Sequence, residues 1–133
     1  MVEMSKEYKI IVLVNIIAAF IYGILYVFLP EFVYSGNDAP YFDPHFWRLF
    51  GGALLAVGIV GLFGFLRVDW DKIKLFMLYG IVVLLIILLV NLTSNIYVIR
   101  SATNLIFHWI DNVVIFLLLI TNVFFYMREN KKS

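Results

Sequence analysis

Four runs of about twenty mostly apolar residues fill this chain, and about 20 such residues is the length a helix needs to cross a bilayer. They cover 9–29 (closed by Pro30), 47–66, 72–96 and 104–127, and each carries few charged groups between its ends. Hydrophobic residues make up 64% of the 133 residues and charged residues 14%. A soluble domain carries about 45–50% and about 25%. Both departures exclude a water-soluble globule, a disordered chain and a coiled coil. The absence of cysteine (Cys 0) excludes a disulfide scaffold, thiol redox chemistry and thiolate metal sites. A formal net charge of +1 gives no basic footprint for nucleic acid. The first run is longer than the ~7–15 residues of a signal-peptide core, and Pro30-Glu31-Phe32 follows it in place of a small-residue cleavage site. It is expected to be a retained first span. The expected fold is all-α, a single integral-membrane domain over 1–133: a four-helix bundle running up-down-up-down.

Lysine and arginine placement sets the expected orientation. With the N-terminus inside, one side holds eight of the ten, namely Lys6, Lys9, Arg67, Lys72, Lys74, Arg128, Lys131 and Lys132, and the other holds Arg48 and Arg100. Both termini and the tight Arg67-Val68-Asp69-Trp70-Asp71 connection are therefore expected in the cytoplasm. So short a connection makes the second and third spans antiparallel neighbours. Asp71 is a plausible helix N-cap. The segment 30–46 combines turn chemistry (Ser35-Gly36-Asn37-Asp38, Ala39-Pro40) with Phe32, Tyr34, Tyr41, Phe42 and Phe46. It is expected to fold back as a lid on the outer surface.

Projected at about 100° per residue, the polar residues of each span fall on one stripe. On the first span Asn15, Tyr22 and Tyr26 share the stripe with the small residues Ala18 and Ala19. On the third the polar residues are Asn91, Ser94 and Asn95 with Gly80. On the fourth they are Asn104, His108, Asp111, Asn112, Asn122 and Tyr126. The second span is rich in small residues: Gly51, Gly52, Ala53, Ala56, Gly58, Gly61 and Gly64, with Arg48 projecting between Gly51 and the Gly52/Ala56 pair. Lipid tails give polar groups no partner, so small and polar stripes face other helices. Most of the polar residues belong to the outer half, which points to a polar pocket opening outward.

Asp111 is the most informative residue, because a carboxylate at mid-span costs about 2.5–3.5 kcal/mol and persists with a partner or a task. A structural ion pair with Arg48 and a ligand, ion or proton site are the two readings. His108 lies one turn away at i−3 and is read as a hydrogen-bonded interfacial histidine or half of a His-Asp proton relay. Arg48 either snorkels to the interface or turns its guanidinium inward. Asn91 and Asn95 are read as glue between helices. Asn91-Leu92-Thr93 fits a glycosylation sequon but lies inside a span. His45 and His108 could be drawn as an axial pair for a metal or haem, but no carboxylates gather around them. No phosphate loop, nucleophile elbow or metalloprotease motif is present.

The span topology, with Phe46-Trp47-Arg48-Leu49-Phe50-Gly51-Gly52-Ala53-Leu54-Leu55-Ala56-Val57-Gly58 opening the second span, resembles small membrane proteins of the DoxX-like and BphX-like group. Most such families have no assigned activity. Some are tied by name to quinone-linked thiosulfate oxidation as accessory subunits, so the resemblance adds a quinone- or haem-binding role to the readings. The leading expectation is a non-enzymatic multi-pass protein of the cell membrane. Its pocket, built from Tyr22, Tyr26, Arg48, Asn91, Asn95, His108, Asp111 and Asn112, would bind a small amphiphile, a lipid head group or an ion, or support a partner membrane subunit or a second copy. A proton- or ion-coupled transporter or channel using His108 and Asp111 is the alternative. No resident cofactor and no nucleic-acid partner are expected.

Overall fold

The computed structural model describes residues 4–38, 42–67 and 70–131. The Ala39-Pro40 turn, Tyr41, the Val68-Asp69 pair of the tight connection and Lys132 lie outside the described residues. The described elements are five helices: α1 (Lys6–Phe28), α2 (Pro30–Asn37), α3 (Pro44–Arg67), α4 (Trp70–Tyr97) and α5 (Ala102–Asn130). Helices α1, α3, α4 and α5 are each long and apolar enough to cross a membrane. At most 17% of each apolar stretch is buried within the chain, so most of its Ile, Leu, Val and Phe surface is available to lipid.

The helices outrun the apolar stretches because polar caps, which hydropathy does not register, fix their ends. Ser5 caps α1 by accepting the Tyr8 backbone N–H at 3.4 Å, and Ser101 caps α5 by accepting that of Asn104 at 3.3 Å. Helix α1 stops at Leu29, because Pro30 has no N–H to continue the ladder; the same proline then opens α2 at its first turn. Helix α2 is the element that turn-rich composition concealed. Asn37 donates back to the Val33 carbonyl at 2.8 Å, and Asp38 ends the helix in the left-handed region at φ 49°.

Glycine sets the main packing. Helix α1 packs most extensively on α3. Gly51 lies against Gly23 and Tyr26, Gly58 against Phe20 and Ala19, and Gly61 against Ile16. Numbers fall on α1 as they rise on α3, so the two helices are antiparallel. The other large contact is between α4 and α5, and α1 joins the two pairs through α5. Helices α3 and α4 touch sparingly, with Gly64 against Ile73 and Gly61 against Phe76 near their connection.

The two ends of the bundle differ. At the end holding both termini, Met4, Tyr8, Val12, Ile16, Trp70, Ile73 and Met77 form the tightest core. Tyr8 packs on Trp70 at 5.7 Å and Trp70 on Tyr126 at 5.4 Å between ring centroids. Arg128 donates to Ser5 Oγ at 2.6 Å and to Glu7 at 3.0 Å, while the Ser5 backbone N–H donates to the fully buried Glu129 at 3.2 Å. At the opposite end α2 lies across the bundle against α1, α3 and α5. The Ser101 backbone N–H donates to Asp38 at 2.8 Å, and the Asn104 amide donates to the Ser35 carbonyl at 2.9 Å. Half of the expected lid is thus a helix pinned to the start of α5.

Candidate functional site

Because the two helix pairs part away from the tight core, they leave a cavity of about 200 Å³ between them. Helix α1 contributes Asn15, Ala18, Ala19, Tyr22 and Tyr26 to its wall, α3 contributes Phe50, Leu54 and Val57, α4 contributes Gly80, Val83, Leu84, Ile87 and Asn91, and α5 contributes Asp111, Ile115, Leu118 and Asn122. Asn37 of α2 closes the lid end. Ala18, Ala19 and Gly80 make room by their small size. A Cβ added at Gly80 would meet nothing within 4 Å, so the glycine faces open space.

The lining is amphipathic along its length. At the lid end are Asp111, Tyr22, Tyr26, Asn37 and Asn91. The Tyr22 hydroxyl donates to Asp111 Oδ1 at 3.1 Å. Tyr26 is held by rings, stacked on Trp47 at 5.5 Å and edge-on to Phe50 at 5.2 Å. Next comes a shaft of valine, leucine, isoleucine and alanine. The shaft is crossed by Asn15 and Asn122, whose side chains bond each other at 3.0 Å and 3.2 Å. Eleven residues separate Asp111 from Asn122, or roughly 16 Å of helix.

Of the expected site residues, Tyr22, Tyr26, Asn91 and Asp111 meet at this cavity. The other four do not line it. Arg48 is exposed, and among the described residues it forms no ion pair with Asp111, whose hydrogen-bond donor is Tyr22. The small residues of α3 occupy two faces. Gly51, Gly58 and Gly61 pack, but Gly52, Ala53 and Ala56 are exposed, and Arg48 follows the exposed set. His108 and Asn112 are buried at 4% and 3% exposure, yet they point about 60–100° around α5 from Asp111 and away from the cavity. His108 lies beside the Asn91 backbone of α4. Among the described residues His108 Nε2 and both polar atoms of the Asn112 amide have no hydrogen-bond partner.

Asn95 belongs to a second polar cluster. Arg100 donates to Asn95 Oδ1 at 3.0 Å and to Ser94 Oγ at 2.9 Å. Burial pulls the Arg100 guanidinium below its ordinary value, and the Asp38 carboxylate works the other way. The Ser101 backbone N–H, donated to Asp38, holds that carboxyl below the usual carboxylate range. Sequence reasoning missed Asn37, which it read as part of a turn, and Arg100, which it counted as loop charge. Among the described residues no group of three histidine, aspartate or glutamate side chains could hold a metal ion. His45 is exposed and lies apart from the cavity wall. No protein-family model, curated protein or solved structure matches this chain.

Proposed function

We propose that the chain is a multi-pass membrane protein that takes a small amphiphile into the cavity between its two helix pairs. The observation that carries this reading is the gradient along one cavity: open hydrogen-bonding groups gathered at the lid end, and below them a shaft that is apolar except for Asn15 and Asn122, which bond each other. A ligand with a polar head and an apolar body satisfies both parts, whereas water satisfies the head end alone. An apolar cavity of about 150 Å³ admits benzene, so about 200 Å³ suits a single chain or ring system. The sparse contact between α3 and α4 gives such a molecule a route from the lipid side. Lys6, Lys9, Lys74 and Arg128 lie at the end that holds both termini, which by the positive-inside rule faces the cytoplasm, so the lid end faces outward. The cell membrane is the site this reading assigns.

Binding of the small neutral fluorophore naphthalene to protein in lipid nanodiscs tests it. Wild-type protein is expected to bind saturably. Gly80→Leu fills the open space beside Gly80 and is expected to abolish saturable binding while the helical circular dichroism is kept. Equal binding by the two proteins, or none by wild type, overturns the reading.

A further inference from the structure

Among the described residues Asp111 is the one charged residue on the cavity wall, and no lysine, arginine or histidine shares that wall with it. Among the described residues Tyr22 is its one hydrogen-bond donor, at 3.1 Å, so a carboxylate able to accept about four bonds is left with a single neutral partner. The arginines at the lid end are otherwise disposed: Arg48 is exposed, and Arg100 is held by Ser94 and Asn95. Around the carboxylate end stand the rings of Tyr22, Tyr26 and Phe50. Aromatic faces attract cations, most strongly where water is excluded. Among the described residues no second carboxylate or histidine joins Asp111 in a metal-binding group, so a divalent inorganic cation lacks the charged ligands it needs.

We infer that the amphiphile of this cavity carries a cationic ammonium head, bound by Asp111 and the tyrosine rings, with its apolar body in the shaft toward Asn15 and Asn122. This rests on the amphiphile reading above and narrows it to one head-group class. An anionic head is excluded by like-charge repulsion. A neutral hydroxyl would use the hydrogen bonds but leave the carboxylate without a counter-charge, which is costly at membrane depth.

Three compounds with the same ten-carbon chain, decylammonium, decanol and decanoate, competing with the neutral fluorophore in phosphatidylcholine nanodiscs, test the inference. Gly80→Leu discs supply the background of partition into lipid. Decylammonium is expected to displace the fluorophore about tenfold more strongly than decanol, and decanoate least. Asp111→Asn is expected to lose the ammonium preference, read as the ratio of decylammonium to decanol displacement. Tyr22→Phe removes the competing donor, keeps the ring and is expected to increase the preference, which gives a second readout should Asp111→Asn not fold. Equal displacement by the three compounds, or a preference that survives Asp111→Asn or is lost in Tyr22→Phe, overturns the head-group inference while fluorophore binding leaves the cavity standing. Absence of saturable fluorophore binding in wild type instead overturns the amphiphile reading, and the head-group inference with it.

Discussion

Asn15 of α1 and Asn122 of α5 exchange side-chain hydrogen bonds in both directions, at 3.0 Å and 3.2 Å. Each amide also donates to the carbonyl four residues back on its own helix, Asn15 to Ile11 at 2.8 Å and Asn122 to Leu118 at 2.7 Å. The pair fixes the register of α1 on α5, since the neighbouring Thr121 hydroxyl is spent on the Leu117 and Leu118 carbonyls of its own helix. Replacing one member leaves the other its bond to its own helix but takes the donor from its side-chain oxygen in an apolar setting. Asn15→Leu and Asn122→Leu are each expected to destabilise by about 0.6–1.7 kcal/mol, the range of hydrogen bonds between membrane helices. The double variant is expected to cost less than the sum. A double-mutant cycle on reversible unfolding in mixed micelles reads the coupling, and additivity would show that the two amides act independently.

Gly51 and Gly52 are adjacent in sequence and opposite in consequence. A Cβ at position 51 would lie 2.7 Å from the Tyr26 Cβ and 2.9 Å from the Gly23 carbonyl oxygen. Neither is the far end of a flexible side chain, so the helices must separate. A Cβ at position 52 meets nothing within 4 Å. Gly51→Ala is expected to lose about 1–3 kcal/mol by overpacking, and Gly52→Ala to be neutral or to gain up to about 1 kcal/mol from helix propensity. Thermal unfolding of the two variants side by side checks this. Equal midpoints would mean that α1 and α3 are not in the close contact described.

Those two glycines also mark where sequence reading stops. The four apolar helices are legible because burial in lipid demands about twenty apolar residues per span, and composition registers that directly. Tyr22, Tyr26, Asn91 and Asp111 are legible as inward groups because hydrocarbon gives them no partner. What periodicity leaves open is which part of a stripe about 100° wide meets which neighbour. On α5 the stripe divides: Asp111 and Asn122 line the cavity, while His108 and Asn112 turn away from it. On α3, small residues occupy both a packed and an exposed face, so Arg48 can be assigned to either until the partner helix is known. Helix α2 is concealed for a different reason. At eight residues it is too short to show a period, and its Ser35 and Asn37 stabilise it through bonds back to the Phe32 and Val33 carbonyls that also suit turns.

Gly80 gives a prediction about stability separate from ligand binding. It sits mid-helix in α4 with open space where a side chain would be, and glycine costs about 1 kcal/mol against alanine in a helix. Gly80→Ala is therefore expected to raise the unfolding midpoint, and Gly80→Leu to raise it further by filling part of the cavity. A lowered midpoint in Gly80→Ala, followed by circular dichroism in nanodiscs, would show that α1 or α5 approaches α4 more closely than described.

Asp38 ties the lid to α5, and its acidity makes that tie pH-dependent. The Ser101 backbone N–H, donated at 2.8 Å, lowers the Asp38 carboxyl from its ordinary value, with Asn104 and Arg100 assisting and partial desolvation opposing. A carboxyl lowered in the folded state stabilises that state above its unfolded pKa of about 3.9, and the contribution disappears as pH falls through the lower folded value. The lid should thus stay pinned through neutral and mildly acidic conditions and loosen below about pH 3.9. The Ser101 amide proton shift followed by NMR is expected to titrate with a midpoint under that value. Asp38→Asn keeps an acceptor oxygen and a residue that tolerates positive φ, so it should hold the lid and abolish the titration. Asp38→Ala loses the acceptor and strains the backbone at φ 49°, so it should release α2 at every pH. A midpoint at or above about 3.9 in the wild type, or a titration that persists in Asp38→Asn, would assign the pH response to another group.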